Sequence, residues 1–305
     1  MRGRATWLGA LLVQCLVARS SPAQPSAGNR IDGINTAQAV EELIHAADTA
    51  GHFSYVTVSD TLSIRNRDCK CQARKRGVKP WVKADFDGNG RTDLLAIGDA
   101  NRQEVLLVMA FDGDKYTVRR VNYGSKYCFL PVVADKGVTK LIEAKSYVRR
   151  FGGRLGTSRR YRLVYKHGGL IEYNPQPGAQ RVESIALSYF MSYHRKVKVD
   201  MTITDSGFVV CREETDGVVT NRVAGLAKAE FEALTDLINY AGIGRRRATY
   251  TRSGNHHPHY YLTVAYEGGF KQIDDDGGEG SMGLELLYEK MLALRNSLRW
   301  QEVEK

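Results

Sequence analysis

Apolar and polar residues along this chain follow two periods, and the switches between them mark its parts. Thr36 stands as a helix N-cap ahead of AQAVEELIHAADTAG, where Val40, Leu43, Ile44 and Ala47 recur at helical spacing and Gly51 is the expected stop. From Phe53 to Tyr173 the period shortens. FSYVTVSD, WVKAD, TDLLAIG, EVLLVMAF, YTVRRV, FLPVVAD, TKLIEAKS and RYRLVYK are short β-rich runs parted by Gly, Asp and Asn, which predicts an antiparallel meander.

YNPQPGAQ, which opens at Tyr173, holds two of the seven prolines and reads as a linker. Three more strand-like runs follow: ESIALSYF, KVKVDMTITD and GFVVCREE. KAEFEALTDLINYAG then places Phe231, Leu234, Ile238 and Ala241 on one helix face. HYYLTVAYE and FKQIDDD lead into a last helix capped by Ser281, with Leu284, Leu287, Tyr288, Met291, Leu294 and Leu298 in one stripe. A stripe of that width is a core-facing surface rather than a cofactor groove. The fold class is α+β: an antiparallel β-rich domain at 36–173, a linker at 174–181, and a β-β-β-α-β-β-α domain at 182–305.

The N-terminus changes the compartment. Arg2 and Arg4 precede the apolar stretch WLGALLVQCLVA, and small residues follow in RSSPAQPSAG. That is the layout of a secretory signal peptide at 1–23, cleaved after Ser20 or Ala23 and leaving a flexible segment at 24–35. The stretch is shorter than the roughly 20 apolar residues a membrane span needs. Gln14 stands where a lipidated Cys15 would require a small residue, which argues against a lipid anchor.

Processing removes Arg2, Arg4 and Arg19 and no acid, so the formal net charge falls from +10 to +7. The remaining bases gather in RNRDCKCQARKRGVK, RRFGGRLGTSRRYR and RRRATYTR, which read as solvated loops. In an exported chain the partners they admit are an envelope polymer, an anionic glycan or another exported protein; nucleic acid is excluded, as is a membrane span. Cys69, Cys71, Cys128 and Cys211 survive processing, with three full pairings open. Cys69 and Cys71 are too close in sequence to bond without strain, so one of them is expected to join Cys128. A zinc site from Cys69, Cys71 and Cys128 is the alternative, without the paired C-x₂-C spacing such sites favour.

One loop carries a metal pattern. KADFDGNGRTDLLAIG sets Asp85, Asp87 and Asn89 at alternate positions, followed by the Arg91 carbonyl and Asp93, while Gly88 and Gly90 let the chain curl. Alternating oxygen donors suit calcium. An EF-hand would need Glu where Ala96 stands, and helices on both sides where strands are predicted. The loop resembles the calcium-bearing turns of FG-GAP and VCBS repeats, carried by Asp85, Asp87, Asn89, Gly90, Asp93 and Leu94. The resemblance implies one structural Ca2+. Propellers need several four-stranded blades, and residues 53–173 are too few, so the loop reads as a single stapled hairpin.

Residues from about Ile185 to Trp300 are similar to an uncharacterised domain of predicted exported bacterial proteins, through SIALSYF, VDMTITDSGFV, FEALTDLINYAGI and DDGGEGSMGLELLYEKMLALRNSLRW. Relatives carry a Cys-Phe-Gly-x-Cys-Pro stretch where this chain has YFMSYHRKV. That family has no assigned activity, so the likeness implies a fold and a location only.

Catalytic motifs are absent: no G-x-S-x-G, H-E-x-x-H, P-loop or Rossmann glycine pattern occurs. His194, His256, His257 and His259 lie in loops without a spaced partner, and Asp274, Asp275, Asp276 and Glu279 read as an acidic turn before a helix N-terminus. The expected protein is an exported (periplasmic or extracellular), calcium-stabilised binding or envelope-associated module. The alternative is an extracytoplasmic hydrolase acting on cell-wall or extracellular polymers. Mass spectrometry of the native protein should place its N-terminus between Ser21 and Gln24; intact Met1, or a lipid-modified chain, would overturn the export reading.

Overall fold

The computed structural model describes residues 29–100, 102–121, 128–136, 139–149, 155–191, 196–252 and 257–303. Helix α1 (Ala37–Ala47) starts where the sequence places it, with the Thr36 side chain accepting the Ala39 amide. It ends at Ala47, four residues before Gly51, and the carboxylate of the C-cap Asp48 takes the Phe53 amide and turns the chain inward.

The first sheet holds β1 (Thr57–Val58), β2 (Trp81–Ala84), β3 (Asp93–Asp99), β4 (Gln103–Phe111) and β5 (Lys115–Arg120), all antiparallel. The predicted strand FSYVTVSD shrinks to β1, because Phe53 and Val56 drop into the core beneath α1 instead of pairing. Strands β3 and β4 are buried on both faces. Leu94, Ala96, Leu106 and Val108 pack under α1; Leu95, Ile97, Val105 and Leu107 face a second sheet. That sheet is the meander β6 (Cys128–Lys136), β7 (Thr139–Arg149), β8 (Leu155–Lys166) and β9 (Gly169–Glu172).

One helix lies where loops were expected. The basic segment folds as α2 (Arg67–Lys75), with the Asn66 side chain accepting the Cys69 amide and only Cys69 and Ala73 buried. A disulfide between Cys69 and Cys128 ties it to β6. Both sulfurs are consumed there and Cys71 is exposed, so the three-cysteine zinc alternative does not form.

The C-terminal half contains β10 (Val182–Met191), β11 (Val197–Thr204), β12 (Phe208–Thr215), β13 (Val218–Gly225), α3 (Lys228–Ala241), β14 (Thr249–Thr251), β15 (His259–Tyr266), β16 (Gly269–Asp276), α4 (Met282–Ser297) and β17 (Gln301–Glu302). The strands form one sheet in the order β14-β16-β15-β10-β11-β12-β13-β17. The α+β class stands, but the expected β-β-β-α-β-β-α order gains β13, β14 and β17, and β14 runs parallel to β16. Strand β13 escapes a hydrophobic reading because VVTNRVAG is half polar. Its signal is the Asp216-Gly217 pair, both at positive φ (50° and 87°), the turn that closes two-residue hairpins.

The halves share a core. Leu141, Val164 and Ile171 from the second sheet enter the cluster formed by α3, α4 and the third sheet. The Glu172 carboxylate accepts the amides of Met282 and Gly283 at 2.9 and 3.2 Å, capping α4 from β9, and pairs with Arg246. The 174–181 segment is held along the end of α3, with Asn174 Nδ2 donating to the Tyr240 carbonyl and the Gln180 amide donating to Asn239 Oδ1. The resulting order of layers is α1, first sheet, second sheet, α3 with α4, third sheet. Among the described residues no helix is long and apolar enough to cross a membrane.

The disulfide closes a loop with a sequence separation of 59. Replacing Cys69 and Cys128 with Ala should cost about 4 kcal/mol of stability by loop entropy. Denaturant unfolding measures it, and a loss below about 1 kcal/mol would show that the α2 contacts suffice without the bond.

Candidate metal centre

The aspartate loop links β2 to β3, and the adjacent core holds it at both ends. Phe86 is buried among the residues between the first two sheets, and Asp93 opens β3 with no exposed surface. Asp93 is the closing residue: its Oδ2 accepts the Phe86 amide and its Oδ1 the Ala110 amide, each at 2.8 Å. One carboxylate thereby pins the loop to the end of β4. Asp85 accepts the Gly88 and Gly90 amides at 2.7 and 2.8 Å. Gly88 and Gly90 sit at φ 77° and 80°, conformations that side-chain-bearing residues rarely adopt.

This winding brings carboxylate oxygens of Asp85, Asp87 and Asp93 within 4.8 Å of one another. Burial pushes Asp93 up to about 7, with the charges of Asp87 and Asp85 adding to the rise and its two backbone hydrogen bonds opposing it. Asp87 is also raised, first by burial and then by Asp85. The basic residue of the loop does not relieve this crowding. The Arg91 guanidinium turns outward to Asp112, at 2.7 Å.

Of the predicted ligands, the three aspartates therefore meet. The Asn89 side chain is engaged inside the loop: Oδ1 accepts the Arg91 amide at 2.7 Å, and Nδ2 donates to Asp87 and to the Ala110 carbonyl. The donor set is all oxygen, which suits a hard divalent cation. Each Asp93 oxygen spends one lone pair on a backbone amide and keeps another for an ion. The parts that sequence reasoning missed are Asp112, which draws Arg91 away, and Ala110, whose amide and carbonyl anchor two loop side chains. Both lie on the far side of a hairpin and carry no signal of their own.

The remaining candidates do not assemble. His194 and His256 lie outside the described residues. His259 Nε2 meets Asp274 Oδ1 at 2.6 Å, with its ring against Tyr261, on the sheet face away from the helices. Asp275 is buried; it accepts the Glu279 and Gly280 amides and the Tyr288 hydroxyl, fixing the turn into α4. A cavity of about 840 Å³ lies elsewhere, between the end of α1 and β5, lined by Asp48, His52, Asp114, Lys115 and Tyr116 among others. No family model, no curated protein and no solved structure matches this chain.

Two outcomes follow from the loop geometry. Calcium added to chelated protein at about 100 times its dissociation constant should add about 2.7 kcal/mol of stability, and Asp85→Asn with Asp87→Asn should abolish that increment. Without a cation, the folded chain keeps the Asp93 proton up to about pH 7, whereas the unfolded chain loses it near 3.8. Stability should therefore fall as pH rises between those values, and saturating calcium should flatten the fall. A melting temperature indifferent to chelator and calcium would make the loop an ordinary turn.

Proposed function

We propose that the chain is an exported, calcium-stabilised binding protein associated with the cell envelope, without turnover of its own. The observation that carries the reading is the three-carboxylate loop, crowded and left without a cationic side chain by the Arg91–Asp112 pair. A calcium ion held by Asp85, Asp87 and Asp93, with the Asn89 side chain and the Arg91 carbonyl as further oxygen donors, would offset that repulsion and lock β2 to β3. This is the role implied by the resemblance to FG-GAP and VCBS loops. The Cys69–Cys128 bond supports the compartment, since structural disulfides persist where the surroundings are oxidising.

The binding reading is favoured because the groups suited to chemistry are occupied structurally. Asp275 closes a turn, His259 is paired on an open sheet face, and Glu172 caps a helix. The hydrolase alternative has one observation in its favour. Glu285 on α4 is pushed up to about 8, first by burial and then by Glu289 and Asp275, so it holds a proton at neutral pH as a general acid must. Arg119 of β5 reaches Glu289 beside it at 2.9 Å.

Incubation of the processed protein with glycan, peptide and ester substrates should leave them intact, while envelope fractions retain the protein. Turnover that disappears in Glu285→Gln would overturn the binding reading in favour of the hydrolase.

A further inference from the structure

The third sheet packs one face against α3 and α4. Leu187, Met201, Val209 and Leu262 belong to that core, so the residues alternating with them along each strand stand on the opposite face. Six of the eight strands, β16, β15, β10, β11, β12 and β13, run for eight residues or more. At about 4.8 Å per strand and about 3.4 Å per residue they make a face of roughly 780 Å². The solvated face of an antiparallel sheet is ordinarily polar. This one is not. Eight large apolar side chains are exposed among the described residues, and five of them, Phe190, Phe208, Val210, Tyr261 and Phe270, stand on it. Such concentration on one face differs from the single exposed apolar residues that any surface carries.

The middle of the face is made of small residues. Ser184 and Ala186 on β10 lie across from Thr204 and Thr202 on β11, and from Ala265 and Thr263 on β15. Phe208 and Val210 flank them on β12, and Tyr261 and Phe270 on β15 and β16. Two sheets pack face to face about 10 Å apart with their strands aligned within about 30°. A two-fold axis between β10 and β11, the centre of the six strands, lays β12 of one copy over β15 of the other, and β13 over β16. The printed register then sets large against small: Phe208 over Ala265 and Phe270 over Gly225. Arg212 comes over Tyr261 and Glu214 over His259, and no acid lies over an acid or base over a base.

We propose that this face joins two copies of the chain in a two-fold symmetric dimer. Its area matches the about 800 Å² per partner of a standard specific interface. A closed two-fold contact uses the same patch on both copies, so the patch has to complement itself. The register of β10 to β16 gives it that property. Lys198 and Asp200, paired at 3.2 Å, lie among the apolar residues, where a second sheet can meet them with polar side chains and lipid hydrocarbon cannot. The dimer goes beyond the binding reading and depends neither on calcium nor on export.

The test is the mass of the full chain in solution, by sedimentation velocity at micromolar concentration, which should be that of two chains. Phe208 and Phe270 are 51% and 70% exposed, so changing them does not open the core. Phe208→Lys with Phe270→Lys should raise the dissociation constant of the dimer about a hundredfold or more. Tyr55→Lys removes a comparably exposed apolar side chain outside the third sheet and should change nothing. A second measurement does not depend on how the double variant folds. Thr202 is exposed and stands beside the axis. In a Cys71→Ser background, which removes the exposed native thiol, Thr202→Cys should be linked to its counterpart in the other copy by a short bismaleimide, and Tyr55→Cys should not. A single-chain mass, a dimer that a correctly folded double variant leaves unchanged, or no link at residue 202 would each overturn the proposal. So would a dimer lost in Cys71→Ser alone, which would be an intermolecular disulfide, or a monomer that instead binds phosphatidylglycerol vesicles through Phe208 and Phe270.

Discussion

Leu141 and Ile142 are neighbours on β7, and they enter different cores. Leu141 packs with α3, α4 and the third sheet; Ile142 packs with the first sheet. The same division recurs at Leu163 and Val164 and at Leu170 and Ile171. A sheet buried on both faces cannot slip by one residue without exchanging the two sets. Its register therefore positions what is attached to it: the disulfide to α2 and the Glu172 cap on α4. Fully burying one such aliphatic side chain contributes about 1.5–3 kcal/mol. The three pairs together outweigh the exposed ion pairs that also cross the halves, each worth at most about 1 kcal/mol.

The aspartate loop depends on the same packing from the opposite side of the first sheet's inner face. Phe86 is inserted between the sheets, so the loop cannot lift away, and Asp93 is buried with it. Burying a carboxylate is costly unless it is hydrogen-bonded. Asp93 meets that condition with two backbone amides, yet its burial, with the nearby Asp87 and Asp85 adding to it, keeps its proton affinity high. The geometry is that of a strained acidic turn which a divalent cation would relax.

How much of this could be read beforehand depends on whether the determining contacts are local. Helices α1 and α4 were legible because their caps, Thr36 and Ser281, and their apolar spacing lie within a few residues of each other, and both side chains do accept the expected amides. The meander strands were legible from alternation and turn residues. The loop spacing foretold that Asp85, Asp87 and Asp93 could converge. The position of Cys128 relative to the C-x-C pair narrowed the disulfide correctly.

The remainder was settled by contacts distant in sequence. Helix α2 buries only Cys69 and Ala73, too few apolar positions to show a period, and a bond to a residue 59 positions away holds it. Strand β13 is half polar and exists through its pairing with β12 and a tight Asp-Gly turn. Arg91 lies within the loop, close in sequence to the aspartates, but Asp112 on the neighbouring hairpin draws its guanidinium outward. Lys145 and Arg160 oppose each other only because of the register of β7 and β8. Periodicity records which face of an element is buried. It does not record which element lies opposite, so the charges that meet across a sheet were decided only by the tertiary structure.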